Sequence, residues 1–141
     1  MIDRLHGITI FCEDIREELG NKVSLIGILP DNLNLSSIPG TLPKLGIYTR
    51  IHIPITWEPC ALKMFMSAPG TERMLIGETS LELMAESLDM AKRLGGLNGG
   101  LTISTIAQSF HIPEPGRIVL ECEAPNETFV TGSLNLGREA A

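Results

Sequence analysis

The chain is poor in aromatics, in cysteine and in positive charge. Aromatic residues make up 4% of the 141 residues, so platforms for stacking bases or sugar rings are scarce. Lys and Arg number 11 against 17 Asp and Glu, for a net charge of −6. The basic footprint of a nucleic-acid binder is therefore missing, and no nucleic-acid partner is expected. The 3 cysteines, Cys12, Cys60 and Cys122, lie far apart and form no CxxC. That spacing supports neither zinc nor dithiol chemistry, and three small, reduced, buried thiols are expected. No apolar run approaches the ~18 residues of a membrane span. The run from Ile8 to Cys12 meets Glu13 and Asp14 at once, which does not fit a secretory leader. A cytoplasmic protein with no membrane partner is the expectation.

What is present is a globular composition, 43% hydrophobic and 20% charged, without repeats or linkers, so residues 1–141 read as a single domain. Period-two alternation recurs along the chain. Ile8, Ile10 and Cys12 share one strand face. Val23 to Leu29 is apolar on both faces and reads as a central strand covered on two sides. Leu33 and Leu35 suggest a short edge strand, and Leu45 to Ile53 the longest strand, ended by Pro54. Leu62 to Met66 and Arg73 to Thr79 flank a Pro69-Gly70 turn. Ser80 then caps one helix over about residues 81–94, with Leu81, Met84, Leu88 and Ala91 on its apolar stripe and Gly95-Gly96 as its stop. Alternation resumes after Gly100, and the apolar face switches near Thr105 and Ala107, which predicts a bulge or a strand crossing between sheets. Two further strands follow, Ile118 to Cys122 and Val130 to Leu136, with a frayed tail from Gly137. Seven to nine short strands with one inserted helix imply a mainly β fold, an antiparallel immunoglobulin-like β-sandwich.

Few residues suggest chemistry. In the acidic segment Glu13-Asp14-Ile15-Arg16-Glu17-Glu18, the rhythm of a cation loop is absent. Asp14 and Arg16 share parity, and an ion pair between them is expected to fix the turn to Lys22. Glu13, Asp14, Arg16 and Lys22 are thus a candidate interaction or structural signature. The histidines His6, His52 and His111 match no HExxH, and no GxSxG occurs. The glycines from Gly95 to Gly100 follow a helix rather than precede one, the wrong dipole end for a phosphate. Met64, Met66, Met74, Met84 and Met90 read as core. Loop residues Trp57, Glu58, Asn98 and Glu127 have the chemistry of a small-ligand site.

Two stretches carry a resemblance. FCEDIREELGNKVSLIGIL (Phe11 to Leu29) and IPEPGRIVLECEAPNETFVTGSLNL (Ile112 to Leu136), with Leu42-Pro43-Lys44-Leu45 between them, resemble a small uncharacterised family of bacterial and phage proteins. Its opening signature is FC-acid-Asp-Ile-Arg followed by Gly-x-Lys-x-Ser-x-Ile-Gly. The resemblance implies a fold and a bacterial or phage context, and no activity or catalytic residues.

The leading reading is a non-enzymatic β-sandwich that binds another protein or itself, without metal or cofactor. Exposure of Ile26, Ile28 or Tyr48 together would form the interface. A phage protein acting on a host protein is a special case that rests on the resemblance. The alternative is a small-ligand or carbohydrate-binding module, and an enzyme or metalloprotein is the third reading.

Overall fold

The computed structural model describes residues 4–139. They form β1 (His6–Glu18), β2 (Lys22–Ile28), β3 (Asn32–Asn34), β4 (Gly40–Pro54), β5 (Leu62–Ala68), β6 (Thr71–Thr79), α1 (Leu81–Arg93), β7 (Asn98–Ile112), β8 (Gly116–Ala124) and β9 (Glu127–Gly137). The fold is mainly β, with a four-stranded sheet in the order β2-β1-β4-β7 and a five-stranded sheet in the order β3-β9-β8-β5-β6. Among the described residues, no helix is long and apolar enough to cross a membrane.

Alternation places the core. Leu45, Ile47, Ile51 and Ile53 of β4 are buried in one cluster with Leu62 and Met64 of β5, Ile118 and Leu120 of β8, and Leu134 and Leu136 of β9. One polar contact joins the sheets inside it. Thr9 Oγ1 lies 2.7 Å from Thr49 Oγ1 and 2.6 Å from Thr131 Oγ1. Thr131 sits beside the register shift of the β8–β9 ladder, between Leu120 and Glu121, and that irregularity accommodates it. Gly132 follows because β1 is close: a Cβ there would stand 3.1 Å from the Thr9 carbonyl oxygen.

Helix α1 forms as its sequence dictates. Ser80 Oγ accepts the Leu83 amide at 3.2 Å, Met84 and Leu88 are buried, and Gly95 takes a left-handed φ of 72° after the last turn. Leu81 departs from the expected stripe and is exposed, and so are Met74 and Met90 among the methionines read as core. The helix packs on the start of β7, where Ser87 Oγ accepts the Gly100 amide at 2.9 Å and donates to the Gly100 carbonyl at 2.8 Å. Gly99 allows that approach, since a Cβ would meet Ser87 Oγ at 2.9 Å. The glycine run is a helix stop and a strand start.

Four further expectations need correction. β2 is not a covered central strand but the edge of its sheet, because only β1 pairs with it. Pairing is not wholly antiparallel: β3 runs parallel to β9. The chain leaves β2 through Leu29–Asp31, and the Asn135 amide donates to the Asp31 carbonyl while the Leu35 amide donates to the Gly137 carbonyl, which fixes that direction. The tail is not frayed at Glu139, whose amide donates to Asn34 Oδ1 at 2.8 Å; residues 140–141 lie outside the described range.

The fourth concerns the face switch in β7. No register shift occurs near Thr105 or Ala107. The more buried positions are odd-numbered up to Ala107 and even-numbered at Phe110 and Ile112. The change falls at Ser109, with φ 51°, and the opposite strand changes parity too, between Leu42 and Leu45. Pro43–Ser109 is the missing rung in an otherwise continuous ladder. The same happens between β1 and β2, where Glu13 and Gly27, φ 65°, are the missing rung. A crease therefore crosses all four strands of this sheet. Because both strands of the β1–β2 and β4–β7 ladders invert together, those registers survive, while β1 and β4 stop pairing at Cys12 and Gly46.

Candidate functional site

The crease decides what the four-stranded sheet shows to solvent. On one side of it Phe11, Ile47 and Ile51 face the core, so Ile8, Ile10, Cys12, Gly46, Tyr48 and Arg50 face out. Ile8 stands opposite Arg50, Ile10 opposite Tyr48, and Cys12 opposite both Gly46 and Ile28. Ile106 continues that last row beside Gly46. Beyond the crease the outward set becomes Ile15 with Leu25, and Glu17 with Val23. Ile15 folds back over the row: a Cβ on Gly46 would meet Cys12 Sγ at 2.7 Å and Ile15 Cγ1 at 3.3 Å. Cys12 is thereby fully buried on an outer face, and burial pushes its thiol pKa up.

The outcome is an apolar outer face. Ile8 is 57% exposed and Ile28 62%, with Val23 and Ile106 also exposed and Ile10, Ile15, Leu25 and Tyr48 half-buried among them. Arg50 and Glu17 are charges on its outward strand positions, one toward each end, and Lys44, bridged to Asp14, stands between their levels. The outer face of the five-stranded sheet is different. Arg73 lies 3.7 Å over the Phe65 ring and bridges Glu121 at 3.4 Å and Glu123 at 3.5 Å. Arg117 donates to Ser133 at 3.2 Å. Val130 and Leu75 are exposed there, Val130 across from Glu121 and Leu75 across from Phe65.

The signature residues gather toward one side of the β1–β2 hairpin. Asp14, Arg16, Lys22 and Ile26 share the inward parity beyond the crease. There β1 pairs with β4 only as far as Cys12 and Gly46, and the strands part. Glu13, Asp14, Ile26, Leu29, Leu33, Leu35, Leu42, Pro43 and Lys44 line the resulting apolar cleft of about 510 Å³. The expected Asp14–Arg16 pair is corrected. Asp14 Oδ1 accepts the Ile15 amide at 2.9 Å and lies 3.7 Å from Lys44 Nζ. Neighbours on one strand face point apart along the chain, and the facing strand offers the nearer cation. Lys22 stands opposite Glu18 and closes the hairpin, whose turn residues Gly20 and Asn21 both have positive φ.

The four residues expected in loops are brought together in part, and two of them, Asn98 and Glu127, are corrected to the first positions of β7 and β9. Trp57 and Glu58 line one pocket of about 420 Å³ with Cys60 and Asn126. Glu127 lines the adjoining pocket of about 470 Å³ with Lys63 and Glu123. Asn98 joins neither and contacts His52 Nδ1 at 3.2 Å. His52 stacks on His6 with ring centroids 4.9 Å apart. Desolvation, then the nearby His6 and Arg50 charges, lower its pKa. Cys60 touches Met84 Sδ at 3.9 Å, and burial pushes the Cys122 thiol up to about 12. Among the described residues, no three of His, Cys, Asp and Glu are grouped to hold a metal ion.

Of the residues expected together, Ile28 and Tyr48 lie on this face, while Ile26 does not, because the parity change at Gly27 turns it into the cleft; Ile8, Ile106 and the pair Arg50 and Glu17 were passed over. The signal for Ile8 was present: Ile8 and Ile10 share one parity and Phe11 the other, so β1 is apolar on both faces. A scan against protein-family models, a search of curated proteins and a search of solved structures each found no match to this chain.

Proposed function

We propose that this protein is a binding protein that engages another polypeptide through the outer face of its four-stranded sheet. The carrying observation is the contrast between the sheets: one outer face is held by ion pairs, the other is an apolar field from Ile8 to Val23. A contiguous apolar patch on a folded surface marks an interaction site. The edge beside it strengthens the reading. β3 is three residues long, β7 is covered at its start by α1, and β6 is interrupted by register shifts. β2 has none of these protections over its seven residues, and open edges accept added strands.

The family resemblance and the immunoglobulin-like description belong to the same proposal. Two facing sheets around one core support the second. The small-ligand reading keeps Trp57 and Glu58, which share a pocket, while Asn98 is turned toward His52.

The test is photocrosslinking in cells that express the chain, with a photoreactive amino acid replacing Ile28 or, separately, Val130. Adducts are expected from position 28 and not from position 130. No adduct at position 28, or equal yields from both faces, overturns the proposal.

A further inference from the structure

We infer that the partner for this face is a second copy of the same chain, packed face to face about a twofold axis. The inference rests on the binding role proposed above and adds the occupant.

Charge is arranged around the apolar field in a way that selects the occupant. Arg50 is level with Ile8, and Glu17 lies nine residues further along β1, about 30 Å away at strand rise. Between them the outward strand positions Ile10, Cys12, Ile15, Ile28, Tyr48 and Ile106 are apolar or uncharged, and the one charge of that parity, Lys44, is bridged to Asp14 at 3.7 Å. Neither Arg50 nor Glu17 makes an ion pair with another described residue; the bridges present use Asp14 with Lys44, Arg73 with Glu121 and Glu123, and Asp89 with Arg93. The face thus has one unbridged cation at one end, one unbridged anion at the other and a mainly hydrophobic middle.

Such a pattern is complementary to itself when reversed. An isologous interface requires the same patch on both subunits. An axis lying across the strands, near the row of Cys12, Gly46 and Ile28, lays β1 antiparallel over its own copy. Arg50 then comes within about one strand spacing of the partner's Glu17, and the symmetry repeats the contact at the other end. Ile8, Ile28 and Ile106 are covered together. The unreversed, parallel overlay would set Arg50 against the partner's Arg50, and like charges across an interface disfavour that register.

Sedimentation velocity over about 1–100 μM reads the outcome. The wild-type chain is expected to dimerise. Arg50→Glu and Glu17→Arg, both exposed and remote from the core, are each expected to weaken the dimer by at least about tenfold. An equimolar mixture of the two variants restores it, because both symmetry-related contacts become Glu against Arg. A monomeric wild type across the range, or a mixture no tighter than its components, overturns the inference; circular dichroism of each variant confirms that it is folded. The crosslink at position 28 separates the two levels. An adduct with twice the chain mass supports the dimer. An adduct with a different protein alone overturns the dimer and leaves the binding role standing.

Discussion

The side chain that ties the two sheets most directly is polar. Thr9 sits between Thr49, which is 1% exposed, and Thr131, which is 7% exposed. Its removal has unequal consequences for the two neighbours. Thr131 keeps a contact with the Leu120 carbonyl at 3.4 Å, but Thr49 is left with a buried hydroxyl and no partner. Thr9→Val is therefore expected to lower stability by about 1–3 kcal/mol, and Thr49→Val by less, since Thr9 still bonds to Thr131. Urea unfolding of both variants checks this, and equal losses would contradict it. His52 makes a second residue-scale prediction. Its pKa lies below the usual 6.5 in the folded state, for burial and for the charges of His6 and Arg50. A lowered histidine pKa means that the unfolded chain binds the proton more readily. The stability associated with the neutral ring is complete above the unfolded pKa and is lost as pH falls through it toward the folded value. Between about pH 7.5 and pH 5.5 the melting temperature of the wild type should fall more than that of His52→Gln. Parallel curves for the two proteins would count against it.

At the scale of elements, the amount legible in the sequence depended on whether a pattern names its neighbour. The long strand ending at Pro54, the Ser80-capped helix, the short edge strand at Leu33 and the Pro69-Gly70 turn were all readable, because alternation, caps and turn residues act locally. The position of β2 was not. Apolar residues on both faces describe a strand between two layers or a strand whose outer side is an interface equally well, and only the sheet order separates them. The face change in β7 was readable but misplaced by a few residues. Thr105 and Ala107 still face inward, and the inversion needed its counterpart across the ladder, Pro43, to be located. The same logic explains what neither glycine of Gly99-Gly100 could say by itself, that a helix lies against the strand. Ser87 occupies both backbone groups of Gly100 on that side. Ser87→Ala should cost about 1–2 kcal/mol and speed amide exchange at Gly100 in particular. Unchanged exchange there would show that the helix does not close the edge.

The whole molecule is a two-sheet body with one wet side and one dry side, and a net charge of −6 that is poorly represented on the dry side. That separation was only half legible. Composition showed few aromatics and no catalytic constellation, so it favoured a binding surface over an active site. Which residues made the surface depended on the parity change at Glu13 and Gly27, which moves Asp14 and Arg16 off the face where Ile8 and Ile10 stand. The crease has one more consequence, for how this chain can change length over time. A residue lost from β7 at Ser109 alone would restore simple alternation after Ala107 and keep Phe110 and Ile112 inward, but would leave Pro43 as a one-sided bulge with nothing across from it. A residue lost from β1 at Glu13 alone would do the same to the hairpin. At this level an unmatched loss trades the crease for a bulge and a matched loss in facing strands removes it, so the facing segments keep an unbroken ladder only when they vary in length together.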